Sequence, residues 1–340
     1  MSWARIRGHG TILESFRAAL ARGRFGQAYL FVGPPGIGKH LFARQLAKAL
    51  LCERPPVPLE SCDQCPACAQ VEAGTHPDVF SVRTPDDKHE LPVESIREFC
   101  SNLAVKSRTG SKKIGIVEDA DDFNPESANA FLKTLEEPPA GTVLLLLATG
   151  IDKQLPTILS RSQVVRFRPL QPDDLRAILK ENGVDDSNQI EKLVRLGGGS
   201  AGRALALNDD EFWKVRQTLL DGLTSSRPDF GSLVKTWEEY YKAGGTETRE
   251  HRLRVSLVLG FLNEALRQSL RLSQGATLGG LDAADQAKLR SFATRLGPDR
   301  LLQLIDKCVE ADYFVERRVQ IILIVESVVE AFLNMNRGSA

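Results

Sequence analysis

A short stretch near the start of the chain has the composition of a loop that holds nucleotide phosphates. Gly33 and the pair Gly38-Lys39 fit the pattern G-x-x-x-x-G-K, and Gly36 adds a flexible position between them. Glycines allow a tight backbone turn whose N–H groups face the phosphates, while the lysine ammonium reaches the outer phosphates. The stretch therefore predicts a phosphate loop, with these three glycines and Lys39 as nucleotide-site residues.

Two further features argue against ATP hydrolysis at this loop. The position after the lysine normally carries a Ser or Thr hydroxyl that ligates Mg²⁺, and here it is His40. A later acidic segment reads Glu118-Asp119, the reverse of the Asp-Glu order in which Asp holds the metal and Glu orients the attacking water. Misplacing a catalytic group by ~1 Å can lower a rate ~100-fold. We therefore expect no efficient ATPase, and the residues leave open whether the loop binds ATP and Mg²⁺ without turnover.

Four of the six cysteines are clustered in a proline-rich segment, and they are Cys52, Cys62, Cys65 and Cys68. Thiolates at this density suit a tetrahedral Zn²⁺ ion, which would supply folding energy that the segment lacks. An iron–sulfur cluster is an alternative, although the usual fourth cysteine followed by proline is absent after Cys68. Unmetallated thiols are the other alternative. Four protein ligands would close the site, so a zinc ion here would be structural.

Alternating strands and helices are predicted to position these residues. Short apolar runs predict five strands, at 28–32, 77–82, 113–119, 142–149 and 163–170. Helical spacing of apolar residues predicts helices between them, at 39–51, at 93–104 and from the N-cap Asn124 to the stop at Pro138. This alternation predicts the α/β class, with a mostly parallel sheet that is covered on both faces.

The strand signals fade after Pro169, and helical patterns continue to the end of the chain. Short helices are expected at 172–182, 187–196 and from about 200, and longer ones after 209, with loops at 225–229, 243–248 and 275–280. Lys+Arg and Asp+Glu are equal at 44 each, so the chain as a whole has no field that attracts DNA. We expect no leader peptide, and the apolar run 319–329 is too short and too interrupted to span a bilayer.

The order of these motifs resembles that of bacterial DNA polymerase III clamp-loader subunits. The stretches NPESANAFLKTLEEPP at 124–139 and LPTILSRSQVVRF at 155–167 carry the resemblance, which covers nearly all of the chain. It implies an AAA+ architecture. The implied parts are a RecA-like α/β domain over 1–168 with a zinc-binding insert at 52–68, a small helical lid over 169–208, and an all-α C-terminal collar for oligomerisation over 209–340.

Within this family the chain resembles the delta prime type more than the ATP-hydrolysing gamma/tau motor type. The phosphate loop is degraded, and QAYLF at 27–31, HPDVF at 76–80 and LPVESIREF at 91–99 look like delta prime. The resemblance implies that Arg161, in the motif Ser-Arg-Ser, is an arginine finger that acts on ATP held by a neighbouring subunit. A guanidinium suits that task because it offers a fixed charge and a fork of donors to the γ-phosphate.

The resemblance also assigns two residues to the chain's own degenerate nucleotide site. Thr149 lies in the sensor 1 region, where Gly150 stands in place of a second threonine. Arg203 lies in the sensor 2 region, at a position that can touch a bound phosphate. A structural ion pair is an equally good role for Arg203 if that site holds no nucleotide.

The function implied is that of a stator in the complex that loads sliding clamps during DNA replication. The implied partners are gamma/tau and delta subunits, with the sliding clamp and primer–template DNA engaged through the assembled complex, in the cytoplasm at the nucleoid and not at a membrane. No polymerase activity and no ATPase activity of its own are expected. One alternative is an ATP-hydrolysing motor-type subunit, which His40 and Glu118-Asp119 disfavour. Another is a zinc-dependent DNA-binding module, which the lone cation Arg54 within 52–68 disfavours.

Overall fold

The chain divides into two compact units in the computed structural model. The first is Met1–Asp185 with Gly198–Gly202, and the second is Asp186–Gly197 with Arg203–Ala340. The residues described are 3–110, 112–225, 229–245, 248–276 and 283–337. Parts of the three predicted loops, namely 226–228, 246–247 and 277–280, lie outside the described residues. The finer division into three domains stays a prediction. No helix in the described ranges is long and apolar enough to cross a membrane.

A five-stranded parallel sheet forms the centre of the first unit, in the order β2-β3-β4-β1-β5. The three middle strands are buried along their whole length because helices cover both faces. The sheet confirms the predicted α/β class, although the outer strands are shorter than predicted because their ends leave the sheet. The strands are β1 Ala28–Val32, β2 Val79–Val82, β3 Lys113–Val117, β4 Thr142–Ala148 and β5 Gln163–Arg166.

Helices pack on both faces of this sheet. One face buries Phe16 of α1 and Phe42 of α2, and the other buries Phe99 of α4 and Phe131 of α5. The start of α5 is as predicted, since the side chain of Asn124 accepts a hydrogen bond from the Ser127 amide at 2.8 Å. The helices are α1 Gly10–Ala21, α2 Lys39–Leu51, α3 Pro66–Ala73, α4 Val93–Ala104, α5 Pro125–Glu136, α6 Pro156–Leu159 and α7 Pro172–Glu181.

The second unit is helical throughout its described residues, which confirms the prediction for the C-terminal part. Its helices are α8 Ser187–Gly197, α9 Ala201–Ala206 (whose first two residues belong to the first unit), α10 Asp210–Thr224, α11 Phe230–Lys242, α12 Thr248–Ser273, α13 Ala283–Leu296, α14 Pro298–Glu316 and α15 Ile321–Arg337. The stretch 315–333, which contains the apolar run, is divided between two helices. Helix α14 ends at Glu316 and α15 starts afresh at Ile321, because Arg318 adopts a left-handed conformation with φ of 58°.

Candidate functional site

The predicted phosphate loop, residues 33–38, connects β1 to α2 at the edge of the sheet where the strands end. Gly36 and Gly38 have φ angles of 73° and 100°, in the left-handed region that favours glycine. Gly33 is held for a different reason, because a Cβ there would collide with the backbone carbonyl of Phe167. The three glycines predicted for the nucleotide site therefore each sit where a side chain would be strained or excluded.

Lys39 is folded back onto the loop that precedes it. Its side chain is buried, and its ammonium donates to the carbonyl oxygen of Gly33 and to that of Pro34 at 2.8 Å. Burial lowers the pKa of Lys39 to about 8, with Asp121 opposing the shift. To reach a bound phosphate, the ammonium would have to exchange these two backbone contacts for the ligand.

The remaining carbonyl groups of the loop also have donors within the first unit. The Ser200 hydroxyl donates to Pro35 at 2.9 Å, the Gly202 amide donates to Gly36 at 2.8 Å, and Phe42 N–H donates to Gly38 at 2.9 Å. His9 lies 2.7 Å from the carbonyl of Ile37 through Nε2, which must carry the hydrogen because a carbonyl only accepts. Every carbonyl from residue 33 to residue 38 is thus satisfied, and the loop holds its shape without a ligand.

His9 and Ser200 are site residues that sequence reasoning missed. His9 is 3% exposed and stacks edge-on against Phe167, with ring centroids 4.8 Å apart. Burial lowers the pKa of His9, so the neutral form that supports its bond to the loop is favoured. The glycine run 197–199 hinted at a close backbone approach near Ser200, but a bond to a residue 165 positions away has no local signal.

The structure brings His40 next to the acidic segment that follows β3. His40 Nε2 lies 3.5 Å from Glu118 Oε1, so the imidazole occupies the place of a metal-binding hydroxyl and faces a carboxylate. Asp119 is engaged elsewhere, since its Oδ2 accepts a hydrogen bond from the Thr84 amide at 3.1 Å. An imidazole is a poor ligand for Mg²⁺, which prefers oxygen, so this pair does not rebuild the missing metal site.

Thr149 is fixed through its backbone by a neighbouring acid. Its amide donates to Asp121 Oδ2 at 2.6 Å, and Gln154 donates to the other oxygen of Asp121 at 2.6 Å. The Thr149 hydroxyl is buried and has no hydrogen-bond partner among the described residues. Asp121 therefore orders the end of β4, a role that sequence reasoning did not assign.

Arg161 follows the short helix α6 and lies just before β5 begins. It is therefore on the side of the sheet where the strands start, opposite the phosphate loop. Its guanidinium donates through Nε to Glu136 Oε1 at 2.7 Å and forms an ion pair through Nη2 with the same oxygen at 2.5 Å. Nη1 donates to the Thr157 carbonyl and to the Ser160 hydroxyl, both at 3.1 Å. The side chain is about one-third exposed, so the charge is held in a defined position that solvent still reaches.

Arg203 belongs to the second unit. Its guanidinium lies against Gly260 of α12, at a position where a Cβ would collide with it. Burial lowers the pKa of Arg203, and the charge of Asp312 opposes that effect. These surroundings are those of a side chain packed within the helical unit, and the assignment of Arg203 to nucleotide stays a prediction.

The four clustered cysteines form a group that could hold a metal ion. The Sγ atoms of Cys52, Cys62, Cys65 and Cys68 all lie within 4.8 Å of one another. Four sulfurs at about 2.3 Å from a central ion fit this spacing. The backbone amides of Gln64 and Cys65 point at the Cys62 sulfur and lower the pKa of that thiol to about 6. Burial raises the pKa of the Cys52 and Cys68 thiols, so the fit to a tetrahedral ion depends on the number and spacing of the four sulfurs.

The cysteine-rich insert is fastened to α2 by a buried lysine. Lys48 has a side chain only 3% exposed, and its ammonium contacts Asp63 and Glu72 at 2.9 Å each. Arg44 adds a second pairing to Glu72 at 2.9 Å. The insert and the helix that begins at the phosphate loop are thus joined by ionic contacts that sequence reasoning missed.

Comparison with known proteins places these features in a family. The family described as "DNA polymerase III, delta subunit" matches residues 8–171. The chain is similar to the DNA polymerase III subunit delta' of Pseudomonas aeruginosa, with 34% identity over 203 residues, which cover 59% of this chain and 62% of that protein. For the delta' subunit of Escherichia coli the identity is 34% over 225 residues, covering 65% and 66%.

A tau subunit is also similar to this chain. The DNA polymerase III subunit tau of Escherichia coli is 32% identical over 213 residues, which cover 61% of this chain and 32% of that protein. The chain thus spans a little under two thirds of the delta' relatives and about one third of the tau relative. The identities to the tau and delta' subunits are thus nearly the same, but the delta' matches extend over a larger share of the relative. By these matches, the chain belongs to the bacterial family of DNA polymerase III delta' subunits.

Proposed function

We propose that the chain is a stator subunit of a DNA polymerase III clamp loader and supplies Arg161 in trans to an ATPase neighbour. The observation that carries the proposal is the contrast between two parts of the first unit. The phosphate loop is satisfied internally and has His40 where a hydroxyl is needed, while Arg161 remains partly exposed with its charge intact. A subunit with this combination can complete another subunit's site without hydrolysing ATP itself.

The partners follow from the family to which the chain belongs. They are gamma/tau and delta subunits, with the sliding clamp and primer–template DNA engaged through the assembled complex during replication. The place of action would be the cytoplasm, at the nucleoid. A structural Zn²⁺ ion on Cys52, Cys62, Cys65 and Cys68 would stabilise the insert, and would take no part in the reaction because four protein ligands leave no open position. A motor-type subunit is the weaker proposal, because Asp119 is committed to Thr84 and His40 offers no oxygen.

In the proposed mechanism Arg161 exchanges one anion for another. In the isolated chain its guanidinium is neutralised by Glu136. In the assembled complex, the γ-phosphate of ATP on the neighbour would take over part of that role, and the charge would stabilise the transferring phosphoryl group. An arginine at such a position is worth about 10³-fold or more in related reactions.

The test is the ATPase rate of a reconstituted clamp-loader complex that carries Arg161→Ala. We expect assembly to be unchanged and the DNA- and clamp-stimulated ATPase rate to fall. Hydrolysis at the site served by Arg161 should slow by about 10³-fold, so the rate of the whole complex should fall by the share that this site contributes. Arg161→Lys should recover little, because lysine keeps the charge and loses the fork of donors. Arg176→Ala, which removes another surface arginine of the same unit, is the matched control. An unchanged stimulated rate in Arg161→Ala would disprove the proposal.

A further inference from the structure

A basic surface lies at the edge of the parallel sheet where the strands begin, opposite the phosphate loop. The sequence has no Asp or Glu from 15 to 52 and none from 99 to 117. Strands β1 and β3 start within these two stretches, and they run parallel on either side of β4. The segments that precede them, 22–27 and 105–112, therefore share one edge of the sheet.

A side-chain contact joins the two segments directly. The ammonium of Lys112 lies over the ring of Phe25, 5.3 Å from its centroid. Lys112 is the last residue before β3, and Phe25 follows the exposed pair Arg22 and Arg24 at the end of α1. Cations contributed by chain segments about 80 residues apart in sequence are thus brought to one surface.

A buried carboxylate holds the loop between α4 and β3 in a fixed shape. Asp78 is 1% exposed and accepts hydrogen bonds from the Ser107 hydroxyl at 3.0 Å, from the Arg108 amide at 2.8 Å, and from the amide and hydroxyl of Thr109 at 2.9 and 2.6 Å. Burial alone would raise the pKa of Asp78, but the hydrogen bonds outweigh burial and leave that pKa below its usual value. The polar groups of the loop turn inward, so Lys106 and Arg108 are left to face solvent.

The start of the same loop is fixed by a second buried group. Lys113 is 4% exposed, and its ammonium donates to the carbonyl of Leu103 and to that of Val105 at 2.8 Å. These contacts satisfy carbonyl groups at the C-terminus of α4, where a positive charge is favoured. The loop that carries Lys106 and Arg108 is therefore anchored at both ends and in the middle.

Three surface arginines on other parts of the first unit are neutralised by neighbouring acids, whereas the exposed cations of this edge are not. Arg7, Arg17 and Arg44 are each paired with a glutamate. Within the described ranges, Arg22, Arg24, Lys106 and Arg108 form no ion pair. Glu136, at the end of α5 on the same edge, is taken up by Arg161. Glu137, the next residue, is an exposed acid at the same place, but the four cations outnumber it. Positive charge is therefore in excess there, although the chain as a whole is neutral.

We propose that Arg22, Arg24, Lys106 and Arg108 form a surface that binds the phosphate backbone of nucleic acid directly, without reading bases. Cations on ordered loops are the groups that contact phosphate oxygens and fix the position of a protein on a duplex. A protein interface would need an apolar centre. Among the described residues of this loop, Val105 is the single exposed large apolar side chain, so the loop does not supply such a centre. The inference goes beyond the proposed function, in which DNA is engaged through the assembled complex, and does not depend on it.

The test is binding of a fluorescent duplex of mixed sequence, about 20 base pairs long, by the isolated full chain. We expect a Kd in the range of 10⁻⁶ to 10⁻⁴ M, with log K falling against log salt at a slope of about −3.6 if four phosphates are neutralised. Lys106→Gln with Arg108→Gln should weaken binding and reduce the slope by about 1.8. Arg22→Gln with Arg24→Gln should have the same effect. This second double variant tests the proposal if a thermal melt shows that the first one does not fold.

The matched control is Arg97→Gln with Lys180→Gln, which removes the same charge from exposed positions elsewhere in the first unit. Equal loss in the control and in the two test pairs would overturn the proposal, because it would show that only net charge matters. Binding of a polyglutamate probe with no measurable binding of the duplex would also overturn it, in favour of an acidic protein partner. The measurement uses the isolated chain, so its failure would leave the Arg161 test in the complex unaffected.

Discussion

Replacing Glu136 with glutamine is expected to raise the ATPase rate of the reconstituted complex, because in the proposed mechanism Glu136 competes with the neighbour's ATP for the Arg161 guanidinium. One oxygen of Glu136 receives both Nε and Nη2 of the guanidinium, at 2.7 and 2.5 Å. Glutamine keeps the shape and an acceptor oxygen at that place and removes the charge. The guanidinium therefore loses its anionic partner in the isolated subunit while the surrounding backbone contacts stay.

The size of the effect follows from the exposure of the pair. The two side chains are 32% and 49% exposed, so water screens their attraction. Ion pairs of this kind contribute about 0.2–1 kcal/mol. That range corresponds to a roughly 1.4- to 5-fold change in the fraction of Arg161 free to act in trans. The expected rise in rate at the dependent site is therefore at most about 5-fold, much smaller than the loss expected for Arg161→Ala.

The assay compares stimulated ATPase rates of complexes carrying wild-type chain, Glu136→Gln and Glu137→Gln. The last is a control with the same charge change at the next residue, which is exposed. Combining Glu136→Gln with Arg161→Ala should abolish the rise, because the effect acts through Arg161. A fall in rate for Glu136→Gln, approaching that of Arg161→Ala, would refute the reasoning and show that Glu136 orients the guanidinium for its task.

Two further predictions concern the phosphate loop and the metal site. The pKa of Lys39 is about 8 in the folded chain against 10.5 for an ordinary lysine, so the unfolded chain keeps its proton to higher pH and stability rises between those values. Wild type should gain about 2 kcal/mol relative to Lys39→Met between pH 7.5 and 9.5 in urea unfolding, and parallel curves would contradict this. Metal analysis should find one Zn²⁺ per chain, lost in Cys65→Ser and retained in Cys100→Ser. Loss of the ion should speed amide exchange across 52–73 while the central sheet stays protected, because this segment has only a small apolar cluster of its own. Wild-type chain without metal would contradict the prediction.

Elements with strong local signals were predictable to the residue. The bounds of β1, α2 and α4 agree with their sequence patterns, because an uninterrupted apolar run or a clear helical stripe defines each of them. Helix α1 was missed because its start carries no capping signal. His9 precedes it without capping it, since the imidazole is used instead to bind the carbonyl of Ile37.

The composition of the candidate site could be predicted, and its long-range contacts could not. The glycines, Lys39 and the four cysteines form patterns that indicate their chemistry within a few residues of sequence. For Lys48, by contrast, the local sequence predicts an ordinary exposed lysine on the surface of a helix. Lys48 is buried because Asp63 of the insert and Glu72 of α3 come together around its ammonium. Such a contact depends on tertiary structure, which no local pattern encodes.

The separation of two sites within the first unit explains how such a chain could lose hydrolysis and keep a role in it. The phosphate loop lies where β1 ends, while Arg161 lies where β5 begins, at the opposite edge of the sheet. His9 and Ser200 bond to carbonyl groups of the phosphate loop. Arg161 is held by a different set of residues, namely Glu136, Thr157 and Ser160. Substitutions at positions such as His40 therefore alter the chain's own nucleotide site without moving the guanidinium, and the two properties can change independently.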